Sequence, residues 1–410
     1  MRVLVVHNRY RSGAPSGENR VVDQERNALL AAGHTVEQFE RYSDDIEGWS
    51  LPARALLPAR VVWSDESRRS LSQVLHRSRP DVVHIHNTFP LISPSVLHAC
   101  VRQRVPAVIS IHNYRLLCAA DTGLFRDGRV CHDCVARRVP IPALVHRCYR
   151  HSAAATAPVV MSTLVNRATW RTKGSAYVFV SESQRATFKD LALPPDRTFV
   201  KANLIPRIPP MAAPTVREPL VAYIGRLDEA KGILFLMEAW DRFQAGATGA
   251  PLRLTIAGGG PLEARVAQWA ASRPAVSVLG IVSAQECSEI MARARAVILP
   301  SQCEETFGLV VVEAMAAGAP PVAAGHGPFP ELITDGTDGV LFDPRNAASL
   351  ATILVDIEAN PARYERYGKA ARETYGGRFD PGENLKRLID IYHFAIDNPV
   401  FVARAGAPSG

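Results

Sequence analysis

The chain has 410 residues, 47% hydrophobic and 21% charged, with a mean hydropathy of −0.01 and a formal charge of +7. This is length enough for two domains with separate cores, and no apolar run reaches the ~18 residues of a membrane-spanning helix. The positive charge comes mostly from Arg, which suits phosphate-bearing ligands or an anionic surface; no nucleic-acid motif accompanies it, so nucleic acid is not an expected partner. MRVLVVHNRY reads as a strand without a signal-peptide cleavage site, and a cytoplasmic location is expected.

In chain order, RVLVVH (2–7) reads as a strand, NRYRSGAPSGEN as a loop carrying Gly13 and Gly17, and about 18–32 as a helix. Further strands are HTVEQFE, DVVHIHN (81–87), PAVISIHN (106–113) and YVFVS (177–181). Short β-branched runs separated by helical stretches predict a parallel sheet with crossover helices. The Pro-rich segment 206–219 has no period and reads as a linker. A second series follows: LVAYIG (220–225), LRLTIAGGGP, VSVLG, AVILP, PPVAA and GVLF. The fold class expected is therefore α/β, with two doubly wound parallel-sheet domains, whose ligands bind beyond the carboxyl ends of the strands. Residues 364–396 read as helices, and the tail 399–410 as disordered.

Four constellations can carry chemistry. The loop with Gly13 and Gly17 precedes a helix N-terminus, where backbone N–H groups can meet a phosphate; a plain tight turn reads equally well. GRLDEAKG (225–232) follows the first strand of the second domain and places Gly225, Arg226 and Lys231 where two cations can clamp a diphosphate. Its bland alternative is a surface turn with an Asp228–Lys231 pair. PSQCEETFGLVVVEAMAAGAP puts Glu305 before a helix and Glu313 about one turn inside it, with the backbone of Phe307, Gly308 and Leu309 between them. Carboxylates can hold a ribose diol or sugar hydroxyls; they can also be plain surface charge on a buried helix. His112, with His84 and His86 on the neighbouring strand, can offer a neutral imidazole to a hydroxyl, or be satisfied within the core.

GRLDEAKG, AGGGP and the stretch from PSQCEETFG to DGVLF, together with SGENRVVDQERNALLAAGHTV, resemble the retaining glycosyltransferase family 4, over nearly the whole chain. The E-x7-E spacing from Glu305 to Glu313 is that family's signature. The resemblance implies the GT-B fold: a first domain at 1–205, a donor domain at 220–375, and a C-terminal helix at 376–398 crossing back to the first domain, with a cleft between the two. It implies transfer of a hexose-type sugar from a UDP- or GDP-sugar to a hydroxyl acceptor (a glycan, a lipid-linked sugar or a small metabolite), with retention and without a catalytic metal. By the same resemblance Arg226 and Lys231 are the diphosphate pair, Glu313 the ribose ligand, Glu305 the donor-sugar contact and His112 the histidine near the sugar. Ser16 stands where the family's loop has paired glycines. Two other readings share the architecture: a non-catalytic sugar-nucleotide binding protein and a sugar-nucleotide epimerase. Both are less consistent with the full motif set.

Cys118, Cys131, Cys134 and Cys148 fall in an insertion at about 115–150, and the C-x2-C pair with an outer thiol on each side suits a structural Zn²⁺. Thiols without metal are the alternative. The Arg-rich stretch 137–150, with Arg167, Arg171 and Lys173 beyond it, suits either solvent or a peripheral contact with anionic lipid at the inner face of a membrane.

Overall fold

A computed structural model describes residues 1–13, 16–120, 123–137, 139–206, 217–246 and 252–401. The glycine loop is thus incomplete, and most of the expected linker and the tail lie outside the described residues. The chain divides into two compact units: Met1–Gly123, His132–Leu204 and Gly382–Gly410 form the first, and Leu124–Cys131 with Ile205–Pro381 the second. The C-terminal exchange therefore comes at Gly382 rather than 376, and part of the Cys-rich insertion belongs to the second unit.

The strands, in chain order, are β1 (Arg2–Arg9), β2 (Thr35–Tyr42), β3 (Val82–Asn87), β4 (Ala107–Ile111), the hairpin β5 (Phe125–Arg126) and β6 (Arg129–Val130), β7 (Ala176–Phe179), β8 (Thr198–Val200), β9 (Glu218–Ile224), β10 (Arg253–Ala257), β11 (Val276–Gly280), β12 (Ala294–Leu299), β13 (Pro321–Ala324) and β14 (Val340–Phe342). In the first unit the order is β2-β1-β3-β4-β7-β8, all parallel. Val3 to Val6 are at most 2% exposed because helices cover both faces of the sheet, so β1 is apolar on successive residues rather than alternately. The helix Pro381–Asp397 contributes Leu388, Ile391, Tyr392 and Ala395 to a cluster with Val3, Val5, Val82, Val108 and Val178. Its apolar residues recur three and four apart, and that stripe is the face it buries.

The second unit repeats the plan in the order β11-β10-β9-β12-β13-β14, also parallel. In each sheet the chain lays its second strand on one side of the first and then returns to the other. The order reverses between β1 and β3 in the first unit and between β9 and β12 in the second. Loops leaving the carboxyl ends of those strand pairs diverge to opposite faces and open a crevice, where doubly wound sheets take their ligands.

Candidate functional site

In the second unit the reversal brings the turn after β9 against the loop after β12. Lys231 Nζ lies 2.6 Å from Glu305 Oε1, and the Ser301 hydroxyl donates to the same oxygen at 2.6 Å. Burial pulls the Lys231 ammonium down, yet the adjacent Glu305 carboxylate outweighs it and leaves the pKa raised. Burial likewise pushes Glu305 up, and Lys231 with Ser301 brings it below its ordinary value, so both members are ionised. Asp228 organises the turn: its carboxylate accepts the Lys231 backbone N–H at 2.8 Å and pairs with Arg226 Nε at 3.1 Å. The Asp228–Lys231 side-chain pair considered from sequence is replaced by this backbone bond, and the Lys231 ammonium turns instead to Glu305. The Arg226 side chain is 55% exposed, and its carbonyl accepts from the Tyr223 hydroxyl at 2.7 Å.

Two glycines make this approach feasible. Gly232 has φ +74°, and a Cβ there would lie 1.7 Å from the Pro300 carbonyl oxygen. Gly258, at the end of β10, would place a Cβ 1.9 Å from the Gly225 carbonyl oxygen. Glycine is thus required where GRLDEAKG meets both AGGGP and PSQCEE. Gly225 continues β9 by donating its N–H to Ala257 O at 3.0 Å. Beyond Glu305, Gly308 caps the helix Leu309–Ala316, and Glu313 lies half-buried one turn inside it, as the spacing predicts. Phe307 is 2% exposed, its ring packed edge-on to Phe379 within the second unit. Cys303 is buried, which pushes its thiol up to about 12 and favours the neutral form.

The first unit gathers the remaining candidates. His112 follows β4 and shares a hydrogen bond with His86 on β3, Nε2 to Nδ1, at 2.9 Å. It borders a small cavity of about 70 Å³ whose lining includes Thr88, Phe89, Asn113, Arg115 and Ser162. Burial holds His84 down to about 4 and His112 down to about 3, and lowers His86 well below its ordinary value. All three rings are therefore neutral near pH 7. His84 is structural: its two ring nitrogens bond Ser110 Oγ at 2.7 Å and Tyr392 Oη at 2.8 Å. Gly13 is exposed, and a Cβ on it would meet nothing within 4 Å; Gly17 opens the helix Gly17–Ala31, which Ser16 caps by accepting the Asn19 N–H at 3.2 Å. The serine standing in place of a second glycine thus serves as a helix cap.

One group escaped the sequence reading. Glu25 sits among Val21, Val22 and Leu29 on the buried face of the first helix, and its Oε1 accepts from Lys201 Nζ at 2.7 Å, both side chains being at most 5% exposed. Its Oε2 has no hydrogen-bond donor and lies 3.8 Å from His86 Nε2 and 4.0 Å from His84 Nδ1. The signal was an acid at a core position of an amphipathic helix; its partner, 176 residues away, carried none. Among the described residues, Glu25, His84 and His86 are the group that brings three potential metal-ligand atoms within 4.8 Å. None of the four expected cysteines belongs to such a group. Cys134 and Cys148 instead pack against Ala119, Ala143 and Val159, while Cys131 ends the hairpin that belongs to the second unit. Cys134 and Cys148 share one cluster, and metal analysis of protein purified without added zinc tests the zinc expectation.

Acid is expected to unfold the first unit early. An ordinary His binds a proton below about pH 6.5 in the unfolded chain, whereas His84 and His112 do not until about 4 and 3. The unfolded state therefore binds more protons over that window, and the stability these rings contribute is complete above about 6.5 and lost as pH falls through the folded values. Glu25, also lowered, adds to the loss below its ordinary value. Glu18 opposes them: burial holds it up to about 7 despite bonds from Asn113 and Tyr10, so its contribution is largest at low pH and fades as pH rises. His86 is lowered too, so Glu18 is outweighed and urea midpoints are expected to fall from pH 7 to pH 4; a flat or rising profile would contradict the assignment.

Comparison with known proteins covers both units. The family profile described as Glycosyltransferase Family 4 matches residues 15–206, and the one described as Glycosyl transferases group 1 matches 208–374. A glycogen synthase of Mycobacterium tuberculosis is 26% identical over 93% of this chain and 91% of its own. Among solved structures, Anabaena HepE in complex with UDP and glucose superposes with a TM-score of 0.64 at 18% identity, covering 95% of this chain and 98% of its own. The sucrose-phosphate synthase of Thermosynechococcus elongatus gives a TM-score of 0.68 at 18% identity, covering 96% and 98%. No helix among the described residues is long and apolar enough to cross a membrane.

Proposed function

Given that this chain belongs to glycosyltransferase family 4 and has the GT-B fold, we propose that it transfers a sugar from a nucleoside-diphosphate donor, UDP- or GDP-linked, to a hydroxyl acceptor with retention of configuration. The observation that carries this reading is the Lys231–Glu305 pair at the β9/β12 reversal, with Arg226 alongside. A leaving nucleoside diphosphate develops negative charge as the glycosidic bond stretches. Lys231 and Arg226 supply fixed positive charge where it develops, so no step calls for a metal. Glu305 has two tasks in this reading: it holds Lys231 in place, and it accepts from donor-sugar hydroxyls. Glu313, on the rigid helix behind, takes the ribose diol. His112, neutral and fixed by His86, offers a ring nitrogen to a sugar hydroxyl.

The donor is tested first by binding. UDP or GDP is expected to raise the thermal midpoint, since a ligand that binds only the folded state stabilises it by about 2.7 kcal/mol at a hundred times its dissociation constant. Incubation with the matching nucleotide sugars and hydroxyl acceptors should then release the nucleoside diphosphate and give a product with the donor's anomeric configuration by NMR. Binding without release in the presence of varied acceptors would favour a binding protein, and inversion would remove the retaining assignment.

A further inference from the structure

The helix Ala153–Val165 has no charged residue in its sequence, AAATAPVVMSTLV. One side of it is core, through Thr156, Val159 and Val160. The opposite side, Ala153, Ala154, Ala157, Met161, Leu164 and Val165, follows helical spacing and is exposed, Met161 by 52% and Val165 by 59%. A surface helix of a soluble domain ordinarily turns polar residues outward; this one turns aliphatic residues outward.

The neighbouring helices continue the pattern. Leu57–Val62 and Ile141–Val145 both pack against Ala153–Val165, and Leu51–Ala55 adjoins the first of them. Seven of the fourteen large apolar side chains exposed among the described residues lie in these helices or the junction between the first two, including Leu51 at 80% and Val145 at 73%. Exposed apolar residues concentrated on adjoining helices in this way point to a binding face rather than scattered exposure.

Charge identifies the occupant. From residue 134 to 181 the chain has no Asp or Glu and carries seven Arg and Lys. Arg147 and Arg150 are exposed in the turn that leads into the uncharged helix, and Arg54 is exposed on Leu51–Ala55. A protein partner's interface would be expected to draw on aromatic and hydrogen-bonding side chains. Aliphatic residues bordered by arginines fit the acyl boundary and headgroups of a negatively charged leaflet. We propose that the outward face of Ala153–Val165 and its adjoining helices docks on an anionic lipid bilayer. The inner sides of the same helices line the cavity beside His112, through Val61, Val159, Ser162 and Thr163. Docking therefore sets at the membrane surface the helices that wall this cavity, close to where a lipid-borne hydroxyl acceptor would be presented.

Co-sedimentation of the full chain with phosphatidylcholine vesicles, with and without phosphatidylglycerol at about one part in four, tests this. Binding is expected only with the anionic lipid and should weaken as salt shortens the screening length from about 10 Å at 0.1 M. Arg147→Gln with Arg150→Gln should weaken it about thirtyfold, at roughly fivefold per arginine near the surface. Met161→Glu with Val165→Glu should abolish it while leaving the thermal midpoint and nucleoside diphosphate release in solution unchanged, which separates failure of this proposal from failure of the glycosyltransferase reading. Equal binding to neutral vesicles, no binding to either, or full binding by the glutamate variant overturns it. So does self-association without lipid that Met161→Glu relieves, which would assign the face to a second copy of the chain.

Discussion

Lys231→Ala is expected to lower kcat/KM for donor turnover by about two to three orders of magnitude, the loss typical of removing one fixed group that stabilises transition-state charge. The effect should fall mainly on kcat, because the charge on the leaving diphosphate grows as the bond breaks. The variant also takes from Glu305, whose side chain is 16% exposed, the ammonium at 2.6 Å, while the Ser301 hydroxyl still donates to it. A carboxylate left in that setting without its counter-ion should cost about 1–3 kcal/mol of stability. The two effects separate in a double variant. Lys231→Ala with Glu305→Gln should regain much of the thermal midpoint, since the amide carries no unpaired charge, yet should regain no activity. Lys231→Arg should keep the charge but not the geometry, because a planar guanidinium cannot take the place of a compact ammonium between Glu305 and the Asp228 turn. Activity of Lys231→Ala close to that of the parent would remove this pair from the catalytic machinery.

Lys201→Ala should be the most damaging single change to stability, at about 3–5 kcal/mol, because it leaves a buried carboxylate without compensation. Lys201 and Glu25 are 3% and 5% exposed, and Glu25 Oε2 already lacks a donor. The ammonium also donates to Ala202 O at 3.0 Å. The pair fastens the segment after β8 to the first helix, and through His84 and Tyr392 its surroundings reach the C-terminal helix. Glu25→Gln with Lys201→Met should cost less than Lys201→Ala alone, because neither remaining group then demands a charge; thermal unfolding followed by circular dichroism gives the comparison. A loss below about 1 kcal/mol for Lys201→Ala would show that the carboxylate finds water or takes a proton.

Much of the architecture is legible locally. Every long strand expected from an apolar β-branched run is present within about four residues at either end, because a parallel strand covered on both faces must be apolar throughout its length. The helix expected before Glu313 begins at Leu309, after the left-handed Gly308. Shorter elements were not legible: β8 has three residues and the β5–β6 hairpin two per strand, too few for a period to register. The cysteine spacing is local in the same way: C-x2-C marks a pair that can share one metal, whereas where Cys118 and Cys148 go depends on packing, and Cys134 and Cys148 lie in one core cluster of the first unit.

Which loops carry the charged and glycine residues is readable locally, because strand period and turn composition are local properties. The sequence placed GRLDEAKG after one strand and PSQCEE after another, and with the resemblance attached Arg226, Lys231, Glu305 and Glu313 to one donor. Tertiary structure alone decided that β9 and β12 are neighbours. It was also what set Lys231 on Glu305 rather than on Asp228, and what buried Glu25 against Lys201. Those pairings join residues 74 and 176 positions apart, and nothing local specifies them; they follow from the strand order, which is chosen by the packing of the whole sheet.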